Sequence, residues 1–307
     1  MGDKYRVYLP FMRSLAVVML LALLLSCSSV PFKRYIQKSP NYNDSMPKIT
    51  QLGIISDATI VASVDTGDQN YKIYVSIEDS KVVESHMLIN AANYMKQKGY
   101  EVAFQQAPFV GGSYFSQGVA KRFKVAQRID ADITVGEPPF KIDDSLITDE
   151  SYKNAMLVIV SSVRQSLNKA PLAKSLPSDF FLQGKNVPES LKIIAERTKV
   201  NALLINIGEG VYVPAAQRVA SGVGSFMFSF GVALATAGTA GVSVTPLPAN
   251  IDSPNISTWS GLIDLQNGEV LWSNSYGLGH NPLDEDFYQD EWPRVLFYHF
   301  QPRTAKN

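Results

Sequence analysis

The sequence predicts an α/β fold with a mixed sheet covered by helices, a C-terminal hairpin and an apolar, Gly-rich insertion. Three observations carry this. Runs of β-branched and apolar residues alternate with helical periodicity at two places, an Asn-Gly turn joins two strand-like runs near the C-terminus, and a long charge-free stretch interrupts the second half.

The first unit begins near Gln51. Ala58 to Val64 and Tyr71 to Ile77 read as strands flanking the turn residues Asp65-Thr66-Gly67-Asp68. Ser80 to Lys98 places Val83, Met87, Ala91, Tyr94 and Met95 at helical spacing, with Lys96 and Lys98 in the last turn and Gly99 just beyond. Tyr100 to Gln105 follows as a strand. A second unit follows downstream: Asn154 to Asn168 reads as a helix, Pro188 opens another, and Leu191, Ile194, Ala195 and Thr198 form its inner side. Asn201 to Val213 then reads as a buried strand. Thr258 to Leu265 and Glu269 to Tyr276 flank Asn267-Gly268, the strongest hairpin signal in the chain. Pairing symmetrically across that turn sets Ile263 against Trp272 and Trp259 against Tyr276 on one apolar face, with Asp264 and Ser273 on the other. Glu285 to Phe300 is expected to be a helix broken near Pro293.

Composition bounds the function. The chain has 307 residues, 46% of them hydrophobic, with 28 basic and 28 acidic side chains, enough apolar material for a sizeable core. Without a basic excess, nucleic acid is not expected as a partner. The single Cys excludes an internal disulfide and a Cys-built metal site.

That Cys carries the most specific signal. Lys4, Arg6 and Arg13 precede an eleven-residue apolar run, Leu15 to Leu25, and small Ser26 precedes Cys27. This is the charged, apolar, small-residue order of a secretory signal, and the run is too short to span a bilayer. Met1 and Met12 both offer a start for it. Leu24-Leu25-Ser26-Cys27 resembles the lipobox of bacterial lipoproteins, which implies cleavage after residue 26 and acylation of Cys27. Two or three acyl chains, at about 0.8 kcal/mol per buried methylene, hold a protein on a membrane durably. The mature chain loses Asp3, Lys4, Arg6 and Arg13, which leaves a formal charge of −2. Ser28 stands where an Asp would favour inner-membrane retention, so the expected location is the outer membrane, facing the periplasm. The inner membrane and the cell surface are the other placements. From residue 27 to about residue 50, Pro31, Ser39, Pro40, Asn41, Asn43, Ser45 and Pro47 predict a tether, with a single α/β domain over 51–307.

Lys98-Gly99-Tyr100 between helix and strand, Asn201-Ala202-Leu203-Leu204 after a helix, and the hairpin Asp264-Leu265-Gln266-Asn267-Gly268-Glu269-Val270-Leu271-Trp272 together resemble bacterial envelope lipoproteins of the curli-secretion and TolB-N-terminal-like group. The resemblance covers roughly residues 51 to 280. It implies an α/β domain serving envelope assembly, secretion or cell-wall regulation through envelope protein partners or a homo-oligomer.

Catalytic patterns are not found in the sequence. Gly222-Val223-Gly224-Ser225-Phe226-Met227 misses the third glycine of a dinucleotide fingerprint, and His86 and His299 read as structural or surface residues. His280 with Asp284, Glu285, Asp286, Asp290 and Glu291 offers oxygen ligands, but without the glycine and final Glu of a calcium loop, and reads as a solvated acidic loop. No enzyme activity and no cofactor beyond the lipid on Cys27 are expected. A lipid-anchored hydrolase is the less favoured class.

The insertion, residues 219–251, is free of charge. Within it Phe226, Phe228, Phe230, Val232 and Leu234 alternate with smaller residues, Ala237 to Gly241 offers a turn, and Val242 and Val244 alternate with Ser243 and Thr245. Period-two apolarity of this kind is the pattern of a membrane β-hairpin, and an apolar loop is the competing reading. A single hairpin leaves open edges that lipid does not tolerate, so a hairpin reading requires a ring of subunits, a secretion pore.

Overall fold

The computed structural model describes residues 36–67, 70–108, 129–130, 149–169, 181–182, 184–212, 227–228, 249–250, 255–278 and 280–303. The chain divides between Arg34 and Tyr35, and residues 35–307 form one unit. In chain order its elements are β1 (Gln37–Lys38), α1 (Tyr42–Ser45), β2 (Gln51–Gly67), β3 (Asn70–Ser76), α2 (Ile77–Gln97), β4 (Glu101–Gln106), β5 (Ile129–Asp130), α3 (Glu150–Lys169), α4 (Val187–Thr198), β6 (Ala202–Tyr212), β7 (Met227–Phe228), β8 (Ala249–Asn250), β9 (Asn255–Asp264), β10 (Val270–Leu278) and α5 (Trp292–Leu296). The expected α/β class is the one observed.

Eight strands form one mixed sheet in the order β1-β10-β9-β6-β2-β3-β5, with β4 also on β2. β2 is its axis, parallel to β6 and β4 and antiparallel to β3. Residues 202–208 of β6 are buried without interruption, as a strand covered on both faces requires. One face carries α2, through Val83, Met87, Ala91 and Met95, together with the C-terminal aromatics Tyr288, Trp292, Phe297 and Phe300. On the other lie α3, through Tyr152, Met156, Ile159 and Val163, and α4, through Leu191 and Ile194.

Local chemistry sets the helix ends. Ser76 Oγ accepts the Asp79 N–H to open α2, and Gly99, at φ +87°, turns the chain out of it into β4. Asp149 Oδ1 accepts the Tyr152 N–H at the start of α3. Pro188 lies in the first turn of α4, where a missing N–H costs nothing. The C-terminal helix expected over residues 285–300 with a break near Pro293 is instead irregular before that residue: a wide π turn, Phe287–Glu291, runs directly into α5, which carries Pro293 in its first turn and ends at Leu296.

Two expectations need correction. The tether predicted for residues 27–50 does not extend to its C-terminal part, because β1 pairs with β10 and Tyr42, Met46 and Ile49 are buried against the sheet. Those three apolar residues recur at helical spacing, a signal that the surrounding Pro, Asn and Ser obscured. The hairpin register is also one residue away from the predicted one. Trp272 lies opposite Leu262 and Tyr276 opposite Thr258, while Trp259 faces Ser275 and Ile263 faces Val270. Trp272 and Tyr276 therefore pack under α2, whereas Trp259 and Ile263 pack under α3 and α4. Between Val270 and Trp272 the pairing is irregular, and an offset of one residue moves a side chain to the opposite face. Since both faces of this sheet are apolar, alternation in the sequence could not choose between the two registers. Ser273, predicted to face away from the core, is itself buried.

Candidate functional site

The chemistry of the described fold concentrates where the sheet splits beside β2. On one edge of β2, pairing with β4 ends at Ile55 and pairing with β3 begins at Ile60. The first turns of α2 supply side chains there: Glu84 Oε1 accepts the Ala58 N–H at 2.9 Å, and Ser80 Oγ accepts the Ile60 N–H at 2.8 Å. Backbone donors exposed by the split are thereby satisfied from a helix.

Arg164 reaches the same stretch from α3. Its Nε donates to Asp57 Oδ2 at 2.6 Å, Nη1 to Glu209 Oε1 at 2.8 Å, and Nη2 to Thr59 Oγ1 at 3.4 Å. Asp57 is 0% exposed, Glu84 1% and Arg164 2%, so this charge network joins both helical layers through the sheet. Three carboxyl groups converge on one guanidinium. Burial first, and then the charge of Asp57, hold the Glu84 carboxyl well above the usual carboxylate range, and the Ala58 N–H and Arg164 offset this in part. Burial also raises Glu209, against the pull of Arg164. For Arg164, burial disfavours the charge, but Asp57 and Glu209 outweigh it and the guanidinium is held more firmly protonated than usual.

A buried polar row crosses the sheet nearby. Ser56, Asn206, Ser260 and Asn274 occupy successive register positions on β2, β6, β9 and β10. Asn206 Nδ2 donates to Ser56 Oγ, Ser260 Oγ donates to Asn206 Oδ1, and Asn274 Nδ2 donates to the Leu296 carbonyl at 2.7 Å. The last of these ties the end of α5 to β10, and the first two join β9, β6 and β2 at the centre of the sheet.

On the outer side of α2 a groove of about 620 Å³ runs along the C-terminal helical turns, lined by His86, Asn90, Tyr94, Gln289 and Arg294 among others. His86 lies in α2 as expected, with its ring 5.5 Å from that of Tyr288. His280 stacks on Phe287 at 4.6 Å, and its Nε2 lies 3.4 Å from Glu291 Oε2. Glu291 is further engaged by the Tyr276 hydroxyl at 2.8 Å. Among the described residues no group of three His, Cys, Asp or Glu side chains is placed to hold a metal ion, and no helix is long and apolar enough to cross a membrane. His299 is exposed beside Tyr298.

Of the residues the sequence singled out, Cys27, Phe226, Phe230, Val232, Leu234, Val242 and Val244 lie outside the described residues. Phe228 lies in β7, which pairs antiparallel with β8 through Met227↔Asn250 and Phe228↔Ala249. The network of Asp57, Glu84, Arg164 and Glu209 was not anticipated. Its signal was a lone charge inside each apolar run: Asp57 in Ile54-Ile55-Ser56-Asp57-Ala58, Arg164 after Ile159-Val160, and Glu209 after Ile205-Asn206-Ile207-Gly208.

No protein-family model and no curated protein matches the chain. Among solved structures, a PelC dodecamer from Paraburkholderia phytofirmans is similar at 10% identity and a TM-score of 0.28, over 89% of this chain and 99% of that one. A likeness of that size carries no argument about fold or function.

Proposed function

We propose that this chain is a lipid-anchored bacterial envelope protein that works without catalysis, by binding other envelope proteins. The observation that carries the reading is Leu24-Leu25-Ser26-Cys27 placed directly after a charged and then apolar leader, with Cys27 the chain's one cysteine. The acyl chains on Cys27 hold the protein at the outer membrane, facing the periplasm. The described fold supports a binding role because its densest set of ionisable groups, Asp57, Glu84, Arg164 and Glu209, is engaged in joining sheet to helices. Replacing Cys27 with Ser in cells fed labelled fatty acid tests the anchor: the label should be lost, and persistent labelling would sink the reading. Affinity capture from detergent-solubilised envelope identifies the partners, and capture of no envelope protein counts against the binding role.

A second reading, a ring-shaped secretion pore, is favoured by one observation. β7 and β8 pair antiparallel across the apolar insertion, and the midpoint between Phe228 and Ala249 falls between Gly238 and Thr239, inside the turn expected from the sequence. In that reading Phe228 and Phe230 face lipid, and Arg at either position costs about 2 to 4 kcal/mol near the bilayer midplane and dissolves the assembly. A monomeric protein indifferent to both substitutions refutes the pore.

A further inference from the structure

We infer that Glu84 and Asp57 share a single proton, and that this proton latches α2 into the split of the sheet between β3 and β4. The inference is independent of the lipid anchor and concerns the described residues alone.

The geometry demands a proton. Glu84 is 1% exposed and its Oε1 is taken by the Ala58 N–H, while Oε2 has no hydrogen-bond partner. Asp57 directly precedes Ala58, whose N–H Glu84 accepts at 2.9 Å, and its charge bears on the Glu84 carboxyl. Ionised carboxylates are acceptors only, so two of them cannot hydrogen-bond to each other. One proton removes the repulsion and turns the orphaned oxygen into a donor. It resides on Glu84, because Asp57 Oδ2 is already engaged by the Arg164 Nε–H at 2.6 Å. Burial and the Asp57 charge raise Glu84's ionisation in the same direction.

The groups bearing on Glu84 come from each element packed around it: Asp57 from β2 and Arg164 from α3, with Glu209 of β6 acting on that pair. Three carboxyls and one guanidinium cannot be neutral together unless protons are retained. When Glu84 ionises, two like charges meet in a buried site, and the relief open to the chain is withdrawal of the first turns of α2. That withdrawal uncovers the Ala58 and Ile60 N–H groups, which Glu84 and Ser80 hold. The split is thus closed while the proton is bound and loosens as pH rises. A carboxyl raised on folding contributes stability in full below its unfolded value, near 4.5, and loses it as pH rises through the folded value.

The test uses the full-length protein in detergent. Carbon-13 observation of the Glu84 carboxyl across a pH titration should show the acid form persisting after the exposed glutamates have ionised; ionisation of Glu84 together with the exposed glutamates overturns the inference. Glu84→Gln keeps the acceptor for Ala58 and offers a permanent N–H donor to Asp57. Relative to that variant, the wild-type unfolding constant should rise about tenfold per pH unit between pH 5.5 and the folded ionisation. Parallel curves for the two proteins, or a variant less stable throughout, overturn the shared proton. Amide exchange at Ala58, corrected for the intrinsic rate, should accelerate above the same pH in wild type and stay flat in Glu84→Gln. Equal exchange in both overturns the latch.

Discussion

Replacing Arg164 with Met removes the one cation from a site where Asp57 and Arg164 are 0% and 2% exposed. The methylenes of the side chain are retained in volume, so the change isolates the charge. Asp57 loses a hydrogen bond of 2.6 Å and Glu209 one of 2.8 Å; Asp57 remains where water cannot repay it, while Glu209 keeps partial access to solvent. Removing one partner of a buried pair costs about 3–5 kcal/mol, against a total stability of about 5–15 kcal/mol. At tenfold per 1.36 kcal/mol, the unfolding constant should rise roughly 150- to 5,000-fold. Urea unfolding followed by the fluorescence of buried Trp259, Trp272 and Trp292 should show a midpoint lowered by about 1.5–2.5 M, taking a slope of about 2 kcal/mol per M. The loss also has a pH signature. Arg164 lowers the ionisation of both Glu84 and Glu209, so its removal raises their folded values further, and the deficit grows as pH climbs past the wild-type folded values, where the variant still holds protons that the wild type has released. Adding Asp57→Asn to the Arg164→Met variant should recover at least about 1 kcal/mol relative to additivity. A loss below about 1 kcal/mol, or one independent of pH, would refute the account of a buried charge network.

Three further outcomes follow from the packing. Trp272→Ala empties the space between β10 and the rings of Phe297 and Phe300, 6.1 and 5.0 Å away, and should cost about 3–5 kcal/mol by chemical denaturation. Gly261→Ala places a Cβ into the Trp259 indole ring, so calorimetry should record a loss of about 1–3 kcal/mol where an ordinary strand glycine would gain. Lys199 closes α4 with φ +60°, a conformation costing roughly 1 kcal/mol for a residue with a Cβ; Lys199→Gly should therefore hold or raise the melting temperature, and a clear fall would contradict the strain.

The sequence by itself determined those features that nearest neighbours along the chain control. Gly99 at φ +87° and Gly268 at φ +76° stand where their turns were read, Pro188 opens α4, and the order of strands and helices follows from period and punctuation. These depend on backbone sterics and capping within a few residues. Tertiary structure decided three things that local chemistry does not reach. The face taken by Trp272 and by Trp259 depended on register, because both sides of the sheet are covered and apolar alternation is the same for either. Whether residues 36–50 are tether or core depended on a surface that the chain builds only later, from β10 and the C-terminal aromatics. The charge network joins residues as far apart as Asp57 and Arg164, 107 positions in sequence, and a lone charge in an apolar run carries no address for its partner. Folding supplies that address because a buried ion without its counter-ion costs several kcal/mol, so the arrangement that survives is the one that brings them together.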